Sequence, residues 1–147
     1  MKCEEVMWTL VFKCDEQTTV AHCARLMREE ELGFLPVLDA AHRVVGVLTD
    51  RDLAMRVLAE ELPLSTPACD VMTRGPFLTC LPDDDLHELE QRMAESKKSR
   101  ALVHEPDGSL MGVITLSDIA QREPSATRTG RLLREMTRRQ LLSIVRQ

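Results

Sequence analysis

The sequence predicts an α/β (α+β) protein of two related β-α-β-β-α units, followed by a C-terminal helix. Its most informative feature is an internal duplication, because residues 46–52 (GVLTDRD) recur 66 positions later as residues 112–118 (GVITLSD). Short apolar runs alternate with segments of helical periodicity in both copies, which is typical of mixed α/β units. Two copies of one half-domain can pack face to face. We therefore expect a pseudo-twofold pair whose cleft, a usual place for ligands, occurs twice.

The composition is typical of a globular protein, with 147 residues, 44% hydrophobic and 29% charged. No apolar stretch is long enough to span a bilayer, which predicts no transmembrane segment. Cys3, Glu4 and Glu5 follow Met1-Lys2 where a signal peptide would need an apolar run, which predicts no signal peptide and hence a cytoplasmic protein. The five cysteines form no C-x-x-C motif and the four histidines are scattered. We therefore predict reduced, buried thiols and no metal site.

Periodicity and turn residues place the elements of the first copy, which we bound at residues 3–59. The predicted elements are a strand at 10–12, a turn at 15–18, a helix from Val20 that Gly33 ends, strands at 34–38 and 44–48, and a helix at 50–59. Leu53, Val57 and Leu58 are expected to face the core from that last helix. Residues 60–68 are predicted to form a linker.

The second copy repeats this order, and we bound it at residues 69–122. The predicted elements are a strand at 77–80, a helix opened by the acidic residues 83–85, strands at 101–103 and 110–114, and a helix at 116–122. Acidic side chains are favourable at the positive end of a helix. Residues 128–147 are predicted to form an added amphipathic basic helix.

Each copy carries Thr-x-x-Asp, at 49–52 and 115–118, where a strand turns into a helix. One interpretation is capping, in which the Thr hydroxyl accepts a bond from a free helix amide and the Asp lies at the positive helix end. The other is ligand binding, since a helix N-terminus can hold a phosphate and a carboxylate can accept two bonds from a ribose diol. Gly46 and Gly112 leave space for backbone or ligand to approach closely.

The motif with its surroundings closely resembles the cystathionine-β-synthase (CBS) domain. The points of resemblance are Val6-Met7 and Val71-Met72 at the start of each copy, Leu35-Pro36-Val37 ahead of Asp39, and the run from Val45 to Leu53. Together the copies cover roughly residues 3–122. A tandem pair of this kind looks like a Bateman module. The resemblance implies a regulatory protein, not an enzyme, that needs no cofactor and binds an adenine nucleotide or related adenosyl ligand (AMP, ATP or NAD-like) in its two clefts.

The resemblance also implies the site residues. Asp52 and Asp118 would hold ribose hydroxyls, and Thr49 and Thr115 would contact phosphate. The implied contacts of the base are Phe12, Leu35 and Pro36 in the first copy, and Phe77, Thr79, Ala101 and Leu102 in the second. Arg51, matched by Ser117, and Arg100 are candidates to pair with phosphate, the alternative for each arginine being a surface ion pair. These sequence differences predict that the two clefts are not equivalent.

The basic end of the chain has two interpretations. Residues 128–147 carry six arginines and one glutamate, while the rest of the chain is acidic. Arg131, Arg134 and Arg138 share one face of the predicted helix, and Leu133, Met136 and Ile144 lie mostly on another. We expect these apolar side chains to dock the helix on the acidic body or on a partner subunit. The alternative is an adaptor for RNA or an anionic membrane surface.

Three function classes are compatible with these sequence features. The first is a sensor that binds an adenosine nucleotide, forms a homodimer through its CBS helices and regulates an unknown protein. The faces expected to meet in the dimer carry Val20 and Met27, Leu86 and Met93, and Leu53 and Val57. The second class is a ligand-free structural dimerisation scaffold. An enzyme is the least favoured class, because the sequence has no P-loop and no paired catalytic groups. No DNA partner is expected, because the duplicated body is not basic.

Overall fold

The structure, a computed structural model, describes residues 1–9, 11–122, 127 and 130–133. It confirms the mixed α/β class. Two three-stranded sheets are present in this part of the chain, in the orders β1-β2-β3 and β4-β5-β6. Each sheet is accompanied by helices from the same repeat, so the duplication in the sequence is also a duplication of secondary structure.

The elements follow the predicted order, with several shifted ends. In the first repeat they are β1 (Cys14–Asp15), α1 (Val20–Glu29), β2 (Phe34–Leu38), β3 (Val44–Thr49) and α2 (Asp50–Asp52), which continues as a π-helix over Leu53–Leu58. In the second they are β4 (Thr79–Cys80), α3 (Leu86–Ser96), β5 (Arg100–His104), β6 (Leu110–Thr115) and α4 (Leu116–Arg122). Short 3-10 turns lie at Cys3–Glu5 and Ala68–Asp70.

Side-chain caps start the two longer helices. Thr19 Oγ1 accepts the His22 N–H at 3.2 Å, and Asp85 Oδ1 accepts the N–H groups of His87 and Glu88 at 2.9 and 3.2 Å. The predicted acidic start of α3 is therefore confirmed.

The predicted end of α1 at Gly33 is wrong. The helix ends at Glu29, and Glu31 takes the left-handed conformation with φ 54°. The Leu32 N–H then closes the helix end on the Met27 carbonyl at 2.8 Å. Gly33 instead leaves room for Asp50, because a Cβ at position 33 would lie 3.0 Å from the Asp50 carboxylate.

Strand pairing corrects the predicted first strand of each sheet. β1 pairs in parallel with β2 at Cys14↔Val37, and β4 pairs in parallel with β5 at Thr79↔Leu102. The predicted strand at 10–12 is wrong at residues 11 and 12, since pairing starts at Cys14 and Phe12 instead packs against the first-repeat core. Leu10 lies outside the described residues. The predicted strand at 77–80 shortens to its last two residues. β2 and β3 are antiparallel, which places Thr49 beside Phe34.

Packing groups the chain into two compact units that do not follow the sequence repeats. The first-repeat unit contains residues 12–76 and 108–110, and the second-repeat unit contains the described residues of 1–11, 77–107 and 111–133. Main-chain hydrogen bonds hold each unit to the segment that it takes from outside its own repeat. Ala68 N–H donates to the Thr18 carbonyl at 2.8 Å, and Cys3 N–H donates to the Asp84 carbonyl at 2.9 Å. The repeat bounds 3–59 and 69–122 remain a prediction about the sequence.

Each unit has its own apolar core. The first-repeat core includes Val20, Cys23, Met27, Leu35, Val37, Leu48 and Val57, and the second-repeat core includes Cys3, Leu86, Leu89, Met93, Ala101, Val103, Ile114 and Ile119. The expectation that Val20, Met27, Leu86, Met93 and Val57 offer faces to a dimer partner is wrong, because these side chains are buried inside the chain. Leu53 is half-buried.

The helix after the first motif buries a different set of side chains from the one expected. Leu58 was expected in the core with Val57, but it is 78% exposed. The Ala59 N–H bonds to the Ala54 carbonyl and the Leu62 N–H to the Val57 carbonyl, both at 3.0 Å. This i to i+5 pattern widens the helix and turns Leu58 away from the buried face.

The cysteines are free, and all but Cys69 are buried. The hydrogen bond with Cys23, together with burial, raises the pKa of the Cys14 thiol. The hydrogen bond with Cys3 and burial raise the pKa of the Cys80 thiol in the same way. These thiols therefore stay protonated and act as small core residues, as predicted.

The start of the C-terminal segment is helical at 130–133. Leu132 is 7% exposed and belongs to the second-repeat core, whereas Leu133 is 50% exposed. The prediction that Leu133 points inward is therefore wrong by one position. Most of the predicted basic helix at 128–147, including Arg134, Arg138, Met136 and Ile144, lies outside the described residues. No helix in the described ranges combines the length and apolarity that crossing a membrane would require.

Leu132 should anchor this segment to the second-repeat unit. We expect Leu132→Ala to lower the free energy of unfolding by about 2–5 kcal/mol, because it leaves a cavity in a buried position. Leu133→Ala is the matched control and should change it by less than about 0.5 kcal/mol. Urea unfolding monitored by circular dichroism measures both, and truncation after Glu123 should lower the midpoint as well. Equal effects of the two single substitutions would contradict the anchor.

Candidate functional site

Both Thr-x-x-Asp motifs form the same turn from a strand into a helix. β3 ends at Thr49 before α2, and β6 ends at Thr115 before α4. The first helical N–H of each turn is tied to the residue that precedes the neighbouring strand. Asp50 N–H donates to the Gly33 carbonyl at 3.1 Å, and Leu116 N–H donates to the Ser99 carbonyl at 2.9 Å. The two motifs are thus carried on equivalent backbones.

The capping interpretation of the motif is confirmed in both units. Thr49 Oγ1 accepts the Asp52 N–H at 3.1 Å, and Asp52 Oδ2 accepts the Thr49 N–H at 2.9 Å. In the second motif Thr115 Oγ1 accepts the Asp118 N–H at 3.2 Å, while Asp118 Oδ2 accepts the Thr115 N–H at 2.7 Å and its O–H at 2.6 Å. Each cap uses carboxylate oxygen Oδ2. The surroundings of Oδ1 are where the two motifs differ.

In the first-repeat unit, Thr73 and Arg56 surround Asp52. Thr73 Oγ1 lies 3.2 Å from Oδ1 and 3.4 Å from Oδ2 of Asp52. The Arg56 guanidinium lies 3.8 Å from Oδ1 and also donates to the Val71 carbonyl at 2.9 Å. Asp52 is only 8% exposed. Sequence reasoning missed both partners, although Arg56 stands four positions after Asp52, a spacing that places two helical side chains side by side.

In the second-repeat unit, the partner of Oδ1 is a tryptophan. The Trp8 indole N–H donates to Asp118 Oδ1 at 2.6 Å. The Trp8 backbone pairs with Val113 through two bonds of 2.9 and 3.1 Å, as the Thr73 backbone pairs with Val47 at 2.9 and 2.8 Å. Trp8 and Thr73 therefore occupy equivalent places. The Trp8 residue is 60% exposed, and Asp118 is partly exposed.

The glycine of each motif makes this arrangement possible. A Cβ on Gly112 would lie 2.8 Å from the Trp8 carbonyl oxygen and 3.0 Å from Met7 Sδ. A Cβ on Gly46 would collide with the Met72 side chain. In the structure, the Trp8 carbonyl and Met7 approach Gly112, and the Met72 side chain approaches Gly46.

The residues expected to contact a base lie on the strands beside the motifs. Leu35 and Ala101 are fully buried core residues, so their side chains face away from solvent. Pro36 and Leu102 follow them and point to the opposite faces of β2 and β5, because successive strand residues alternate. Phe12, Phe77 and Thr79 are half-buried, and Thr79 pairs with Leu102 across the sheet. Their contact with a base remains a prediction.

The residues expected near phosphate are on the surface. Arg51 and Ser117 occupy matching positions in the first turns of α2 and α4, and both are exposed. Arg100, the first residue of β5, is exposed too. Their phosphate contacts remain predictions.

One surface pocket adjoins the second motif. Its volume is about 310 Å³, and Trp8, Thr9, Asp118, Gln121 and Arg122 are among its lining residues. Pockets of roughly 300–1,000 Å³ are the usual size for small ligands. Within the described ranges, no group of three or more His, Cys, Asp or Glu side chains is placed to hold a metal ion.

Comparison with known proteins identifies the family. The CBS domain model matches residues 3–59 and 68–125. The chain belongs to the CBS domain family. The resemblance drawn from the twin motif is thereby confirmed, as is the tandem arrangement of two copies.

Relatives of several lengths share this CBS pair. The CBS domain-containing protein YhcV of Bacillus subtilis is 28% identical over 130 residues, which cover 88% of this chain and 91% of YhcV. The uncharacterized protein MK0525 of Methanopyrus kandleri is 29% identical over 107 residues, covering 72% of this chain. The chain's match spans 54% of MK0525.

Solved structures show the same fold. The conserved CBS domain protein TA0289 of Thermoplasma acidophilum superposes with a TM-score of 0.75 at 26% identity, covering 92% of this chain and 75% of that one. The CBS domain pair of protein MJ0100 gives a TM-score of 0.72 at 19% identity, covering 83% and 98%. That structure is a complex with 5′-methylthioadenosine and S-adenosyl-L-methionine.

The close approach at Gly112 should be sensitive to a single methyl group. We expect Gly112→Ala to lower the free energy of unfolding by about 1–3 kcal/mol, because the new Cβ meets the Trp8 main chain and overpacks the contact. Gly130→Ala is the matched control. Its Cβ would meet nothing within 4 Å, and in a helix alanine should raise stability by up to about 1 kcal/mol. Thermal unfolding measures both changes in stability, which should have opposite signs. A Gly112→Ala variant as stable as the natural protein would contradict the packing described.

Proposed function

We propose that this CBS pair is a regulatory module that binds an adenosyl ligand, such as AMP, ATP or an NAD-like molecule, through Asp52 and Asp118. The observation that carries the proposal is the repeated turn. In each unit one carboxylate oxygen completes a helix cap, while the other meets a side chain that the cap does not need. A carboxylate fixed in this way can accept hydroxyl donors from a ribose. The adenosyl ligands of the MJ0100 pair support the same ligand class.

The local geometry supports recognition of ribose more strongly than recognition of phosphate. A carboxylate offers about four acceptor positions, so Oδ1 has capacity for a further donor. The Thr115 hydroxyl, in contrast, already donates to Asp118 and accepts from its N–H. A phosphate would have to displace the first of these bonds. We therefore place the ribose contacts at the aspartates first and treat Thr49 and Thr115 as secondary contacts.

The proposed output is a change of conformation or partner and not catalysis. A ligand shifts an equilibrium only by its difference in affinity between two states. Ribose binding at Asp52 would share the carboxylate with Thr73 and compete with Arg56, which also donates to the Val71 carbonyl. Ligand binding would thus be coupled to the segment that carries Val71 and Thr73. The regulated protein would respond to that segment.

A second candidate function is a ligand-free dimerisation scaffold. It is favoured by one observation, namely that both oxygens of each aspartate already meet protein donors. For the dimer itself we propose the exposed side of the π-helix, where Met55 is 56% and Leu58 78% exposed. Twofold pairing of these side chains would remove them from water.

The ribose contact is tested by matched variants and matched ligands. Asp52→Ala and Asp118→Ala should each weaken one site by about 1.5–3 kcal/mol, because a charged acceptor is removed. Asp50→Ala, on the same turn but outside the proposed contact, is the control and should leave affinity unchanged. Calorimetric titration with AMP and with 2′-deoxy-AMP measures the effects. The deoxy ligand keeps only the 3′-hydroxyl, so it should bind the natural protein more weakly and lose less affinity than AMP in either aspartate variant. Unchanged AMP affinity in both variants would refute the assignment.

The dimer is tested by sedimentation equilibrium at micromolar concentration. The natural chain should show about twice its monomer mass. Leu58→Glu should shift it toward monomer, since the charge would be buried in the apolar contact. Leu81→Glu, at a less exposed apolar residue of the other unit, should leave the mass unchanged. A natural chain that sediments as a monomer would exclude the proposed dimer.

A further inference from the structure

Trp8 contacts the proposed ribose acceptor of the second-repeat unit directly. Its indole N–H lies 2.6 Å from Asp118 Oδ1, the oxygen that the Thr115 cap does not use. We propose that Trp8 is a specificity-determining residue, a built-in competitor that a ribose hydroxyl must displace from Asp118. This inference rests on the proposed function and adds the residue that makes the two sites unequal.

The equivalent position in the other unit shows why the residue type matters. Thr73 meets Asp52 with a hydroxyl, which both donates and accepts and can rotate to share the carboxylate with a second hydroxyl. An indole N–H only donates, and its direction is fixed by the ring. The Thr73 contacts are long, at 3.2 and 3.4 Å, whereas the Trp8 contact is short. A short bond to an ionised acceptor is a strong one. Trp8 therefore competes with a ribose in a way that Thr73 does not.

The position of the ring makes the competition reversible. The Trp8 backbone is anchored to Val113, but the residue is 60% exposed, so few packing contacts hold the indole in place. The pocket of about 310 Å³ beside Trp8, Thr9, Asp118 and Gln121 provides open space next to the carboxylate. Release of the indole from Asp118 thus requires rotation of one side chain and no movement of the sheet.

The test isolates the Asp118 site in an Asp52→Ala background. Trp8→Phe keeps an aromatic ring and removes the N–H donor, and Trp8→Thr installs the residue found at the equivalent position. Calorimetric titration with AMP should show that either substitution tightens binding by about 10- to 100-fold, the range expected when a hydrogen-bonded competitor for a charged group is lost. Trp8→Phe in a chain that also carries Asp118→Ala is the control and should have no effect.

A second measurement uses the chain with Asp52 intact. Trp8 is its only tryptophan, so selective excitation reports on this residue alone. Its emission should change as AMP occupies the second site and the indole leaves the carboxylate, and 2′-deoxy-AMP should change it less. This readout does not depend on the folding of any variant.

The possible outcomes separate the two proposals. Equal or weaker AMP binding after Trp8→Phe, or emission that stays constant at saturating AMP, overturns the role of Trp8 while leaving the proposed function standing. If the Trp8→Phe variant binds AMP more weakly, the indole is a contact of the ligand and not a competitor. If neither the natural chain nor any variant binds AMP, ATP or NAD, the proposed function itself is contradicted.

Discussion

The pairing of a short extended segment with the motif strand, across a glycine, is the contact on which each unit depends. Trp8 pairs with Val113 and Thr73 with Val47, and each pairing brings protein groups against a residue without a side chain. A methyl group on Gly112 would meet the Trp8 main chain, and one on Gly46 would collide with the Met72 side chain. The same pairing sets the side chain of Trp8 or Thr73 over the carboxylate of the motif. One packing constraint thus shapes both the strand pairing of the unit and the surroundings of its motif aspartate.

The exchange of segments between repeats follows from this pairing. The segment that meets the second motif strand stands at the start of the chain, and the segment that meets the first lies after the first repeat. Each unit is therefore closed by residues distant in sequence, with bonds such as Cys3 N–H to the Asp84 carbonyl. A change in either segment acts on a motif about 20 to more than 100 positions away, because Thr73 pairs with Val47 and Trp8 with Val113.

The sequence predicted what depends on local chemistry. The duplication, the strands at 34–38 and 44–48, the helix at 116–122 and the caps of the motif all rest on spacing and on side chains that act on their own backbone. The errors lie where tertiary contacts decide. Parallel pairing with β2 determines that the first strand starts at Cys14 and leaves out Val11 and Phe12. The π-helical pattern after Asp52 has no signature in the apolar spacing, so Leu58 was placed on the wrong face.

In the candidate site, too, the residues set by local chemistry were predictable and those set by tertiary contacts were not. Thr49, Asp52, Thr115 and Asp118 were predictable because their role as caps and their proposed roles with phosphate and ribose use one local geometry. Trp8 and Thr73 were not, since nothing at a fixed sequence distance links them to Asp118 and Asp52. Their equivalence becomes visible only when the strand pairings are compared.

The cap and the ligand site are not rival explanations of the motif. A helix cap needs one carboxylate oxygen and fixes the direction of the other, so capping supplies the rigid positioning that a binding site requires. What a duplicated unit can vary without losing its fold is the residue facing that second oxygen. A hydroxyl at position 73 and an indole at position 8 leave both caps intact while giving the two aspartates different neighbours. Divergence at this one position is therefore a route by which two copies of one structure come to differ in ligand affinity at no cost to the turn that carries the site.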